Sequence, residues 1–185
     1  MVIIVQNEDP VLRKIAKEVP IADITKPKIQ KIITDMINAL SSQDDGVAIA
    51  APQIAVSLRI FVISGKIFDE DFIRGRGSSN GNLYKKARHP DLVFINPVLK
   101  KISKDRKLLP EGCLSVRPVY GKVRRATRAT IEAYNEFGKK FTKEGTGLIA
   151  HAFQHEIDHL DGILFTDKAK DLHESPILEE DKINI

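Results

Sequence analysis

Apolar and polar positions alternate along this chain with two rhythms, and the change from one to the other outlines its elements. In "KPKIQKIITDMINALSSQDDG" the residues Ile29, Ile32, Ile33, Met36, Ile37 and Leu40 recur at steps of three and four, which puts them on one face of a helix. That helix should stop between Ser41 and Asp45, where the rhythm fails and Gly46 offers a turn. "LRIFVIS" then reads as a strand ending at Gly65, being short, β-branched and aromatic. Residues 66–91, rich in glycine, serine, asparagine and charge, show no sustained period and read as a surface insertion. "LVFINPVLKKI", "RRATRATIEAYN" and "KFTKE" read as further strands, with "NEFGKK" supplying the turn between the last two, so residues 92–143 should be mainly β.

A second helix is predicted from about Thr146 to Leu160, with Gly162 as its stop. Leu148, Ile149, Ala150, Ala152, Phe153, Ile157 and Leu160 occupy most of its circumference, and Gln154, Asp158 and Asp161 form the one mainly polar stripe. A helix apolar nearly all round is buried. Its remaining polar residues, His151, His155, Glu156 and His159, must therefore have partners. The segment from about residue 170, acidic with Pro176 in its middle, reads as a loosely ordered tail.

Composition narrows the class. With 185 residues, 42% hydrophobic and 29% charged, the chain fits one self-sufficient folded domain over residues 1–185. Net charge is +4, with basic residues spread among acidic ones except for short clusters such as Lys122, Arg124, Arg125 and Arg128, a weak case for nucleic acid. The single cysteine, Cys113, has no internal partner for a disulfide, and the apolar opening "MVIIV" is too short for a signal-peptide core or a membrane span. A cytoplasmic protein without membrane or specific nucleic-acid partners is expected.

Three of the five histidines fall within "HAFQHEIDH". His155 and His159, four apart on a helix, project from one face and can reach one ion, and Glu156 completes H-E-x-x-H, a zinc-type site with its general base. The competing reading, two core histidines bonded to backbone or carboxylate, is the ordinary fate of a lone histidine. A chance H-E-x-x-H, however, should arise in roughly one chain per hundred or fewer. Such a site takes a third protein ligand and leaves room for water. His151 is the nearest in sequence, but three ligands along one helix span roughly 11 Å, too far for bonds of ~2 Å to one ion. That makes His151 a wall of the neighbouring pocket. Cys113, in "PEGCLSV", is the better third ligand, against the alternative of a small buried hydrophobe.

"GVAIAAPQ" (46–53), "EGCLS" (111–115) and "QHEIDH" (154–159) together resemble peptide deformylase, whose patterns are G-x-G-x-A-A-x-Q, EGCLS and H-E-x-D-H. The likeness extends from "DPVLRKIAKEV" to "HLDGILF". It implies an α+β fold with antiparallel strands around a central metal-binding helix, and hydrolytic removal of the formyl group from the N-terminal formylmethionine of nascent polypeptides. It further implies that Cys113, His155 and His159 hold the ion and that Glu156 is the general base and acid. Gln53 and the backbone N–H of Leu114 would flank the reacting oxygen. Gly46, Val47, Ala48, Gly112, Leu148 and His151 would line the substrate cleft, with Val47, Leu148 and His151 receiving the methionine side chain.

The implied ion is ferrous iron in the cell, with zinc, nickel or cobalt able to replace it in purified protein. A monomer is expected, with at most transient ribosome contact, because the acidic tail stands where some family members carry a long basic helix. One position departs from the motif: Ala48 replaces a glycine, which predicts altered substrate fit, and greater damage if the backbone there needs positive φ. Two rival readings are a zinc-dependent peptidase, suggested by H-E-x-x-H alone, and a non-catalytic paralogue that binds N-termini, suggested by Ala48.

Overall fold

The helix-period segment at residues 27–41 forms as its pattern demands. Pro27 opens α1 (Pro27–Ser41) at the position where a missing N–H costs nothing, and Ile29, Ile33, Met36, Ala39 and Leu40 are buried on one side. The computed structural model describes residues 2–69 and 89–174. Among them are two α-helices, eight strands and several short 3-10 turns, arranged as an α+β fold.

β1 (Ala48–Ala50), β2 (Ile60–Ile63), β3 (Leu92–Ile102), β6 (Arg128–Tyr134) and β7 (Lys140–Thr146) make a five-stranded antiparallel sheet in the order β1-β2-β3-β6-β7. β4 (Arg106–Gly112), β5 (Val119–Ala126) and β8 (Lys170–Glu174) make a second, in the order β4-β5-β8. β2 explains the layering. All four of its residues, Ile60 to Ile63, are fully buried, as expected of a strand covered on both faces. Ile60 and Val62 pack with Ile33, Met36 and Leu40 of α1, whereas Phe61 and Ile63 pack with Ala150, Phe153 and Leu160 of α2 (Gly147–Leu160). Phe61, Phe94 and Phe153 meet there, with ring centroids 4.5 Å apart for the first pair and 5.3 Å for the second. The large sheet thus lies between the helices, and α2 is enclosed on its far side by the small sheet.

α2 follows β7 directly. A Cβ on Gly145 would come within 2.6 Å of Ile149 and 2.8 Å of Phe153, so the bare glycine lets the strand end pass against the helix that it starts. Gly162, with φ +75°, lies just past the helix end as predicted, and a side chain there would meet the Arg13 carbonyl at 2.8 Å.

Some expectations need correction. "RRATRATIEAYN" is not one strand: it breaks at Thr127, where the chain passes from the small sheet (β5) to the large one (β6). The partner hairpin breaks at the same level, and Ser103 N–H donates to Arg128 O at 3.0 Å while Thr127 N–H donates to Asp105 O at 3.1 Å, so both strands bend together. The expected surface insertion does not begin at 66, because Gly65–Phe68 is a 3-10 turn in which Lys66 and Ile67 are buried. Most of that segment, 70–88, lies outside the described residues. Residues 170–174, expected in a loose tail, form β8 against β5; the rest of the expected tail, 175–185, lies outside the described residues. No helix among the described residues is long and apolar enough to cross a membrane.

Candidate active site

His155 and His159 leave the same face of α2, their ring centroids 4.8 Å apart. Cys113 follows the end of β4, and its Sγ lies 3.2 Å from His159 Nε2. One ligand atom from each of the three falls within 4.8 Å of the others, and all three residues are buried. A sulfur and a nitrogen bound to the same tetrahedral ion would be about 3.5 Å apart, close to the spacing seen.

The donors are oriented for that purpose. His155 Nδ1 bonds Glu111 Oε1 at 2.6 Å, which turns its Nε2 toward the cluster, where that nitrogen has no hydrogen-bond partner among the described residues. Burial pushes the Cys113 thiol up and the His159 imidazole well down, so without a cation both donors are neutral. Two N–H groups point at the sulfur, Gln53 Nε2 and the backbone N–H of Ser115, each at 3.5 Å. A dication suits this donor set, because the nearby fixed charges of Glu111, Arg125, Asp158 and Lys168 cancel, leaving its charge to be met by a Cys113 thiolate and Glu156.

Glu156 is fully buried next to the ligand His155, and neither carboxylate oxygen has a hydrogen-bond partner among the described residues. Burial, aided by the negative charge of Glu111, holds its carboxyl well above the usual range despite Arg125. Gln53 is set by the 3-10 turn Ala51–Ile54, and its Oε1 accepts from Ala50 N–H at 2.7 Å. That bond decides the amide's orientation and leaves the NH₂ facing Cys113. Leu114 opens the turn after Cys113, which is closed by Val116 N–H to Cys113 O at 3.0 Å, and Gln6 Nε2 braces the Leu114 carbonyl at 3.2 Å.

The remaining predicted residues occupy three places. Val47 and Ala48 are buried in the α2-facing core, and Leu148 packs against that cluster. Ala48 pairs with Ile63 as an ordinary extended residue outside the positive-φ set, so its methyl introduces no backbone strain. Gly46 lies against Leu114, and Gly112 pairs with Tyr120 at the end of β4. His151 is bonded through Nε2 to Glu111 Oε2 at 2.6 Å.

Two residues in this network escaped the sequence reading. Glu111 is a hub with almost no exposure: besides the two histidines it accepts from Arg125 Nε at 3.1 Å and Arg125 Nη2 at 2.6 Å. Burial alone would raise its carboxyl, but His155, His151 and Arg125 outweigh burial and hold it far below the usual range. Arg125 also bonds Asp158 at 2.6 Å, and Asp158 bonds Lys168 at 2.6 Å. Arg125 therefore does not belong to a basic surface with Lys122 and Arg124: alternation along β5 turns Arg124 outward and Arg125 inward. The same correction applies to the polar stripe of α2. Gln154 is buried and clasps Ala126, accepting from its N–H and donating to its C=O, both at 3.0 Å. The readable signal for Glu111 was its place two residues before the candidate ligand Cys113.

A family model described as polypeptide deformylase matches residues 1–175. Peptide deformylase 2 of Clostridium acetobutylicum is 39% identical over 161 residues, covering 87% of this chain and 90% of that one. Among solved structures, a peptide deformylase from Legionella pneumophila superposes with a TM-score of 0.74 at 36% identity, covering 91% of this chain and 85% of that one. The peptide deformylase from Thermotoga maritima gives a TM-score of 0.74 at 32% identity, with 92% and 98% covered.

Proposed function

The chain belongs to the peptide deformylase family, and from that premise we propose how its residues share out the reaction, hydrolytic removal of the formyl group from the N-terminal formylmethionine of nascent polypeptides. Cys113, His155 and His159 would hold a divalent ion, which would supply Lewis acidity for the formyl carbonyl and bring the pKa of water down toward ~7. In our reading that ion is ferrous iron in the cell, with zinc, nickel or cobalt able to occupy the same His₂Cys set.

Glu156 takes a proton from the attacking water and returns it to the departing amine. A C–O bond forms, the C–N bond breaks, and formate leaves a free methionine amine. Proton transfer of this kind typically contributes about 10²- to 10⁴-fold. As the formyl oxygen gains charge, the Gln53 amide and the Leu114 N–H donate to it. These donors are fixed in advance by the Ala50 contact and by the turn after Cys113, so no reorganisation is needed when the charge develops. The methionine side chain enters an apolar slot beside Val47 and Leu148, with His151 at its wall and Gly46, Ala48 and Gly112 lining the approach of the peptide backbone. The protein acts in the cytoplasm as a monomer, with at most transient contact with the ribosome.

One observation carries this reading: a buried carboxylate without a hydrogen-bond partner among the described residues follows directly on a ligand histidine, beside the only cysteine in the chain. The test is to incubate anaerobically purified, iron-loaded protein with formyl-Met-Ala-Ser and with its unformylated counterpart, measuring formate and new amines. Formate from the first alone supports deformylation, and cleavage of peptide bonds in either would favour a peptidase. Glu156→Ala should keep the metal and lose turnover; equal activity in that variant would remove Glu156 from the mechanism.

A further inference from the structure

Two loops that carry proposed cleft residues are tied together by an ion pair. The first runs from the end of α1 through Asp45 to Gly46 and Val47. The second starts at Cys113, and the tight turn from Cys113 to Val116 delivers Arg117 toward the first loop. Arg117 Nη2 reaches Asp45 Oδ1 at 2.5 Å, with side-chain exposures of 31% and 14%. The loops already touch beside this pair, since a Cβ on Gly46 would lie 3.1 Å from Leu40 Cδ1 and 3.3 Å from Leu114 Cδ1.

The first loop is held on another side by residues that follow β2. Buried Lys66 donates to Gln43 O at 3.0 Å, and Ser64 N–H donates to Val47 O at 2.8 Å. It is therefore suspended between an anchor on the large sheet and a guanidinium carried by the loop that holds Cys113.

We infer that Arg117 is a positioning residue for substrate: through Asp45 it fixes the separation between the loop bearing Gly46 and Val47 and the loop bearing Cys113 and Leu114, and so the width of the slot that receives the peptide. This rests on the cleft assignment proposed above. Neither Arg117 nor Asp45 touches the reacting atoms in that assignment. Loosening the slot weakens ground state and transition state alike, which appears in KM and not in kcat. For a partly exposed, charge-assisted hydrogen bond the expected rise in KM is about five- to tenfold.

The experiment compares metal-loaded parent, Arg117→Ala, Asp45→Ala, the double variant and Arg117→Lys on formyl-Met-Ala-Ser. Hydrogen exchange at the amides of residues 43–47 and of α2 is followed by mass spectrometry on the same samples. Each single alanine variant should raise KM about five- to tenfold with kcat within about twofold. The double variant should be no worse than either single, Arg117→Lys should recover most of the loss, and exchange should quicken at 43–47 but not in α2. Should Arg117→Ala fold poorly, Arg117→Lys and Asp45→Asn give the same comparison at smaller amplitude. An unchanged KM, additive losses in the double variant, or unchanged exchange at 43–47 would overturn the inference. If the parent itself releases no formate, the proposed reaction falls, and the exchange measurement still decides whether Arg117 holds the loop.

Discussion

Replacing Glu111 with glutamine exchanges one carboxylate oxygen for an NH₂ and should separate what holds the fold from what prepares the metal. Four donors converge on this carboxylate, two from Arg125, one from His151 and one from His155, at 2.6 to 3.1 Å. Glutamine offers one oxygen where the carboxylate has two. In the better orientation its oxygen stands in for Oε1, keeping the bond from His155 and that from Arg125 Nη2. Its NH₂ then faces Arg125 Nε and His151. One guanidinium N–H loses its acceptor, and Arg125 is left with Asp158 as counter-charge. Breaking a buried pair from one side costs about 3–5 kcal/mol, a large part of an ordinary domain's 5–15 kcal/mol or so. Metal affinity should fall by roughly 10- to 100-fold, because His155 then donates to a neutral amide oxygen, which polarises its ring less than a carboxylate does. Urea unfolding of chelator-treated protein reads the first quantity, and zinc titration against a competing chelator reads the second. A second variant separates them further. Glu111→Gln with Arg125→Met removes both charges, which should restore much of the stability because Asp158 keeps Lys168, while metal affinity stays low because His155 still faces a neutral amide in place of a carboxylate. If Glu111→Gln unfolds within about 1 kcal/mol of the parent and binds zinc as tightly, the hub described here does neither job.

Gln53→Ala should lower kcat by about 10²- to 10³-fold while retaining the metal, as expected for loss of an oxyanion donor; a loss below tenfold with bound metal intact would show that the amide does not meet the developing charge. Gly145→Ala should destabilise by about 1–3 kcal/mol, because the new methyl would sit 2.6 Å from Ile149 Cγ2 and 2.8 Å from Phe153. A urea midpoint equal to that of the parent would mean that α2 can draw back from β7 without cost. Burial lowers the pKa of Lys66 despite the opposing charges of Asp44, Asp45 and Asp91. Between that lowered value and the ordinary one near 10.4, the unfolded chain binds more protons, so stability relative to Lys66→Met should rise with pH across that window. Unfolding curves of the chelated proteins at neutral and alkaline pH check this, and parallel curves would exclude it.

What could be read from the chain in advance follows from whether the relevant signal is periodic or paired. α1 and α2 were legible because their burial repeats every three or four residues, and a strong repeat survives whatever packs on it. The metal donors were legible because a helix apolar on nearly every side tolerates histidine and glutamate only with a purpose. The bend at Thr127 was not, since both halves of residues 124–135 are good strand sequence and the break depends on the partner hairpin bending at the same level. Gln154 looked wet because polar side chains at helical spacing usually are. Its partner, the backbone of Ala126, is distant in sequence and meets it only after folding.

Arg125 shows why the paired class matters for function. As one basic residue among four near residue 125 it counted toward a surface charge, yet a single position of strand alternation reverses its meaning. Turned inward, it joins His155 and His151 in keeping Glu111 ionised against the cost of burial, and Glu111 in turn fixes the nitrogen with which His155 faces the ion. A residue three contacts away from the ion thus helps set whether a ligand is presented in its binding tautomer, Arg125 to Glu111 to His155. Each step in that chain is a bond of 2.6 Å between groups at most 4% exposed, where neither water nor salt can substitute for a missing partner. The metal ligands could be named from a motif, but their readiness to bind depends on a buried charge balance that no stretch of contiguous sequence contains.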